Sequence, residues 1–417
     1  MPDEGSMFGM PAEKGRWVLV FLGMAINLCL GSIYSWSVFV NPLTDYFTGS
    51  LGQSVTANEV LMPFSVFLAF FAIAMPLAGK YIETLGPRNV TIIGGVLTGL
   101  GWLLASMVTS VQMLYLVYGV IGGVGVGIAY GVPVAVAARW FPDRRGLAVG
   151  LTVLGFGFSA FLTANIAGYL ISSFGVMDTF RIFGIAFVVL IIVLALPLRF
   201  PVPGWKPRGW NPPVPKPGEE TCECDRGAML RTPTFYGLWA CFFIGCLAGL
   251  MAISIAKPVG TEIGIEAGLA TLLVGFFAVF NGGGRPIFGS LTDRITPRNT
   301  ALASFVLIAL ASLALWQVPA IPVYILAFAI LWGCLGGWLA IAPTATGTYF
   351  GTCDYPRCYG LVFLAYGAGA IAGPQLAGFI KTTTGNYMGV FPYVLALSLI
   401  GLAIAWVLVK APKKMTS

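Results

Sequence analysis

The chain is divided into apolar runs of about 20 to 27 residues by short clusters of charge and turn residues. That is the length a helix needs to cross ~30 Å of hydrocarbon at ~1.5 Å per residue. The runs fall at 17–40, 58–79, 90–109, 112–137, 146–172, 179–199, 234–257, 266–290, 299–318, 320–346, 357–381 and 389–410, which predicts twelve membrane helices. Only 9% of the 417 residues are charged, where a soluble domain carries about 25%. So little charge cannot cover a water-soluble fold, which excludes a soluble enzyme, a secreted disulfide scaffold, a nucleic-acid binder and a disordered chain. The first run is too long for a signal-peptide core and has no convincing small-residue cleavage site before Pro42, so it is expected to remain as the first span.

One long polar interval, Phe200 to Pro233, holds eight prolines and a mixed charge cluster and reads as a linker. It divides the chain into residues 1–199, a 200–233 linker and 234–417, with six spans on either side. Placing the N-terminus in the cytoplasm puts 19 Lys and Arg on the inner side and leaves three, Arg181, Lys257 and Lys381, at the outer ends of helices. Snorkelling accounts for Lys257 and Lys381. This bias explains the positive net charge without a nucleic-acid partner. It also predicts a multi-pass protein of the cytoplasmic (inner) membrane with both termini inside.

The halves repeat. Gly79, Glu83, Gly86 and Arg88 follow the second helix with the same offsets as Gly289, Asp293, Thr296 and Arg298 after the eighth, at a shift of 210 residues. Parallel six-helix repeats are a transporter architecture in which two halves rock about a central site. The first copy resembles the Gly-x-x-x-Asp/Glu-x-x-Gly-x-Arg signature of the major facilitator superfamily; in the second, Thr296 stands in the last glycine's place. The resemblance implies an all-α membrane protein of twelve transmembrane helices in two pseudo-symmetric six-helix bundles. Glu83, Arg88, Asp293 and Arg298, with Arg144 nearby, are expected to form interfacial charge networks that open as the halves rock.

One cation of the 23 lies in neither surface group. Arg285 is eight residues before Asp293, so its Cα sits roughly 12 Å inside the interface, close to the bilayer midplane. An arginine there costs at least about 2.5–3.5 kcal/mol unless it meets a cavity or a partner. Each of the 16 Asp and Glu residues sits in a tail, loop, linker or first turn, so the chain supplies no suitable acid. An external anion is the expected partner. One guanidinium holds one carboxylate by two parallel hydrogen bonds, whereas a dianion keeps uncompensated charge in a low-dielectric site. A small monocarboxylate is favoured. Asn281, one turn before Arg285 on the same face, is placed to orient the guanidinium or touch substrate. Tyr34, Tyr130 and Tyr366 are candidate hydroxyl donors that shape the pocket, and Trp338 is a further candidate.

Arg139-Trp140-Phe141-Pro142-Asp143-Arg144-Arg145-Gly146-Leu147-Ala148-Val149-Gly150 and Phe280-Asn281-Gly282-Gly283-Gly284-Arg285-Pro286, with Tyr34-Ser35-Trp36 and Tyr130-Gly131, resemble the oxalate/formate antiporter family and the related monocarboxylate transporters. The resemblance covers almost the whole chain and implies substrate held between the halves by Arg285. It departs at two places. The family's oxalate carrier has a lysine in the eleventh helix where Tyr366 stands here; two cations suit a dianion and one suits a monoanion. Eukaryotic monocarboxylate transporters have an aspartate where Asn281 stands and a first-helix lysine near Ser35, so their coupling machinery does not transfer. The resemblance implies lactate- or pyruvate-like transport with a proton, or anion exchange. The chain contains no histidine to carry that proton. No catalytic residues, cofactor or metal are expected, and the chain is expected to act as a monomer. Cys222, Cys224, Cys353 and Cys358 are read as free thiols on the inner face, without the spacing of a zinc or iron-sulfur site.

Overall fold

The computed structural model describes residues 6–141, 143, 145–202, 205–209, 226–350 and 355–410. Arg144, Cys222, Cys224, Cys353 and the side chains of Glu83 and Asp293 lie outside the described residues. Among those described, twelve helices are long and apolar enough to cross a membrane. They are α1 (Ala12–Ser50), α2 (Ala57–Ala78), α3 (Thr84–Ala105), α4 (Val111–Trp140), α5 (Ala148–Phe174), α6 (Val176–Ala195), α7 (Pro233–Glu262), α8 (Ala267–Thr292), α9 (Pro297–Gln317), α10 (Ile321–Phe350), α11 (Cys358–Thr384) and α12 (Met388–Leu408). Twelve crossings return the chain to the side where it began, here called the terminal face.

The core is continuous through both bundles. Helices α3 and α6 interlock at Gly95, Gly99 and Gly184, where missing side chains admit Ile191, Val188 and the Leu103 backbone. Across the bundles, α2 packs on α11, where Asn58 meets Gly378 and Ala72 meets Gly367, and α5 packs on α8, where Thr271 meets Gly168. Gln375 of α11 also donates to the Ser65 hydroxyl of α2 at 3.4 Å.

Three differences from the sequence-based spans have physical causes. Helix α1 starts earlier and continues to Ser50, but its middle, Gly31–Ser35, tightens into a 3-10 turn. Such a change of winding inside a long helix redirects the side chains it carries, and Tyr34 is one of them. Arg16 is buried in the first turns of α1 rather than lying free at the surface. Its guanidinium forks onto Asp143 at 2.6 and 2.8 Å, donates to the Trp140 carbonyl at 2.9 Å and lies 4.1 Å over the Phe141 ring. Lys381, at the end of α11, has a specific partner there: it ion-pairs with Glu262 at the end of α7 and donates to the Gly385 carbonyl. The same carboxylate accepts the Tyr387 N–H at 2.9 Å, and burial together with Glu262 pushes the Tyr387 phenol above its ordinary range.

The internal repeat is visible in the backbone. Gly86 has φ 78° and ψ 159°, and Thr296 has φ 83° and ψ 152°. Each turns the chain from one helix into a Pro-Arg pair that begins the next. The left-handed region suits glycine and strains a β-branched residue. Thr296 recovers part of that cost by capping the Asn299 N–H at 3.4 Å. A Cβ on Gly86 would meet nothing within 4 Å, so its requirement is conformational rather than steric. We expect Gly86→Thr to lower stability by about 1–2 kcal/mol and Thr296→Gly not to lower it, read from thermal unfolding of the purified protein in one detergent.

Candidate functional site

Arg285 and Asn281 sit on α8 facing α5. Asn281 is fully buried and Arg285 is 6% exposed. The guanidinium makes one hydrogen bond among the described residues, from Nη1 to the Val153 carbonyl of α5 at 2.7 Å. Val153 lies one turn before Gly157, and that glycine is what lets the side chain approach. A Cβ at Gly157 would stand 2.8 Å from Asn281 Oδ1 and 3.2 Å from Arg285 Nε. Sequence reasoning missed Gly157; in the sequence it is one of many helix glycines, and only the packing of α5 on α8 singles it out.

Arg285 Nε and Nη2, the two nitrogens that share one edge of the guanidinium, are buried with no partner among the described residues. That edge carries two parallel N–H donors, the geometry that accepts a carboxylate side-on. Asn281 donates through Nδ2 to the Trp332 carbonyl at 3.1 Å, which fixes the amide, and its Oδ1 is also unpartnered. Leaving buried polar atoms unpaired costs about 1–3 kcal/mol each, more when charged. A cluster of three in the protein's interior is where a polar guest has most to contribute.

Two of the candidate tyrosines pair with each other. Tyr34, from the 3-10 turn of α1, and Tyr366 of α11 bring their hydroxyls to 3.0 Å across the two bundles. Both are buried, and the Tyr34 hydroxyl lies within electrostatic range of Arg285 and Tyr130. Tyr130 of α4 packs against Phe71 at 5.2 Å and Phe156 at 5.2 Å. Phe71 and Phe156 also touch Tyr366 and Tyr34, at 5.9 and 5.1 Å, and Phe363 stacks on Tyr366 at 5.0 Å. The result is a buried aromatic cluster around the hydroxyl pair, with the Tyr34 hydroxyl within electrostatic range of the guanidinium. Ser35 faces away from it: its hydroxyl bonds Thr163 of α5.

Trp338 falls elsewhere, packed between Phe305 at 5.2 Å and Phe242 at 6.3 Å with Gly245 under its indole. Its Nε1 is buried and unpartnered, but its ring contacts are with the second bundle's own core. Arg298 donates to the Trp406 carbonyl at 2.7 Å and lies 4.3 Å over that ring, while the side chain of Asp293 lies outside the described residues. Arg88 is exposed. Cys358 is buried, and its three candidate companions lie outside the described residues.

Twelve helices long and apolar enough to span a membrane, in two like bundles with a buried arginine and tyrosine hydroxyls in their interior, have the architecture of a transporter. The Major Facilitator Superfamily profile matches residues 18–256 and 238–417, and the chain belongs to that family. It is 31% identical to the oxalate:formate antiporter of Oxalobacter formigenes over 92% of this chain and 89% of that one. It is 28% identical to human monocarboxylate transporter 11 over 92% and 80%, and 25% identical to apicoplast pyruvate carrier 1 of Toxoplasma gondii over 90% and 86%. The fold matches the crystal structure of a D-xylose–proton symporter with TM-score 0.74 at 15% identity, covering 96% of this chain and 99% of that one. It also matches an inward-facing bacterial homologue of the lysosomal transporter Spinster with TM-score 0.69 at 16% identity, over 95% and 97%.

The hydroxyl pair between α1 and α11 is expected to couple the bundles. In a double-mutant cycle of Tyr34→Phe and Tyr366→Phe, thermal unfolding should give a coupling of about 0.5–1.5 kcal/mol. Additive losses would mean the two hydroxyls do not act on one another.

Proposed function

We propose that the protein is a secondary active transporter of small monocarboxylates of the lactate or pyruvate kind, with the carboxylate held side-on by Arg285 and alternating access produced by rocking of the two bundles. The observation that carries this is the Nε–Nη2 edge of a buried arginine without a protein counter-ion. Asn281 Oδ1, which shares the Gly157 surface with that edge, and the Tyr34 hydroxyl are the groups we assign to a hydroxyl or keto group at C2. Relatives named for oxalate, formate, pyruvate and monocarboxylates support the solute class.

Charge selects the monoanion. One buried positive charge neutralises one carboxylate, and Tyr366, tied to Tyr34, brings a neutral group to the aromatic cluster. We take the first coupling mode to be symport with a proton that travels on the substrate or through the tyrosine cluster. Exchange is a second reading, favoured by the antiporter relative and by the cost of reorienting an uncompensated Arg285 through the membrane. The bundles are taken as residues 1–199 and 234–417 joined by the 200–233 linker, in a monomer of the cytoplasmic membrane with the terminal face inside, as the Lys and Arg bias requires. Glu83, Arg88, Arg144, Asp293 and Arg298 remain candidates for interfacial gating.

Binding of a panel of mono- and dicarboxylates tests the site. Arg285→Gln should weaken lactate binding at least ~10-fold, and Arg285→Lys, which keeps charge but loses the fork, should recover only part of it. Gly157→Ala should weaken it too, by pressing on Asn281 and Arg285. Tyr366→Lys should shift preference towards oxalate. Unchanged binding in Arg285→Gln would remove the reading. In liposomes, symport requires lactate uptake to follow an imposed pH gradient; exchange requires preloaded anion and ignores the gradient.

A further inference from the structure

At the terminal face, between the start of α3 and the end of α6, lies a cavity of about 520 Å³ lined by Phe8, Arg88, Leu196, Pro197, Leu198 and Arg199. Its polar wall is two arginines. Both side chains are exposed, and among the described residues neither makes a hydrogen bond or an ion pair. Two guanidiniums sharing one cavity repel each other unless an anion lies between them.

The cavity is built rather than incidental. The backbone of Arg199 is fixed because its carbonyl accepts the Trp140 indole N–H at 2.8 Å, and the next ring, Phe200, lies 4.0 Å under the Arg139 guanidinium. Arg88 is the second residue after the kink at Gly86, which sets the direction in which its side chain leaves α3. Phe8 is delivered by a hairpin of two strands, β1 (Ser6–Met7) and β2 (Met10–Pro11). Its two turn residues, Phe8 and Gly9, both have positive φ, 55° and 72°. Met7 is buried against Gly15, which pins the hairpin while its Phe8 tip stays 46% exposed.

An apolar track leads away from the cavity along the membrane. Ile182, Ile185, Val189, Val193 and Leu196 are all exposed, at spacings of 3, 4, 4 and 3 residues that keep them on one face of α6. The stripe is about 21 Å long, enough for an acyl chain through one leaflet. Ile93, Leu100 and Leu104 are exposed on the neighbouring α3, at spacings of 7 and 4 residues.

We infer that this cavity is a binding site for the phosphate of an anionic phospholipid, with the headgroup between Arg88 and Arg199 and an acyl chain on the α6 stripe. The site is independent of the substrate reading, since it shares no residue with the Arg285 site. Both arginines attract the phosphate, and the stripe selects a lipid over free phosphate because only a lipid covers it.

The test is native mass spectrometry of the delipidated full chain in detergent, with phosphatidylglycerol, phosphatidylcholine of the same chains, or inorganic phosphate added. Phosphatidylglycerol should be retained over phosphatidylcholine by at least ~5-fold. Arg199→Gln should lower that preference, and Arg88→Gln with Arg199→Gln should bring it near one. Arg181→Gln, whose arginine pairs with Asp178 away from the cavity, should leave it in place. A preference that survives in Arg199→Gln, or that inorganic phosphate abolishes by competition at low millimolar concentration, would overturn the lipid site. Monodisperse elution and an unchanged thermal unfolding midpoint of Arg199→Gln show that its loss of preference is not a loss of fold.

Discussion

A buried guanidinium with an unshared edge is the constraint around which the middle of this protein is arranged. Its charge is stabilised in the interior by the Val153 carbonyl on one side only, and hydrocarbon offers nothing for the other donors. The cost is held by packing that gives the side chain no alternative. Gly157 admits it to the surface of α5, Asn281 is fixed by the Trp332 carbonyl beside it, and α8 carries both on one face. A residue held in this way is ready for an anion, because little ordering is left to do when the anion arrives.

The aromatic cluster joins the two bundles by side chains rather than by chain connection. Tyr34 belongs to the first bundle and Tyr366 to the second, and their single hydrogen bond is the polar contact between aromatic walls contributed by both. Under the proposed function, a solute that took those hydroxyls as partners would touch both bundles and so link its binding to their movement. The 3-10 turn at Gly31–Ser35 makes the Tyr34 segment differ in winding from the rest of α1.

Much of the central site could be read from the sequence. Arg285 stood out as a candidate because a charge among apolar residues needs a cavity or a partner, and Asn281 followed from helical periodicity. Tyr34, Tyr130 and Tyr366 were candidates, and the fold gathers all three. Trp338 was less well placed: helix membership said nothing about which face it occupies, and it packs in the second bundle. Arg16 and Lys381 were read as surface cations, yet each closes a specific contact, with Asp143 and with Glu262. Partners separated by more than a hundred residues leave no periodic trace.

The number of crossings, the repeat of two bundles and the place of Arg285 deep in the eighth span could be read from composition and spacing, because a spanning segment must satisfy its own backbone and tolerates charge only at a price in free energy. The edge of Arg285 that stays unpaired, the role of Gly157, the tyrosine pair across the bundles and the cavity between α3 and α6 were decided by tertiary structure. Each depends on which helix faces which and at what depth, and that is set by side-chain packing between segments the linear sequence keeps apart.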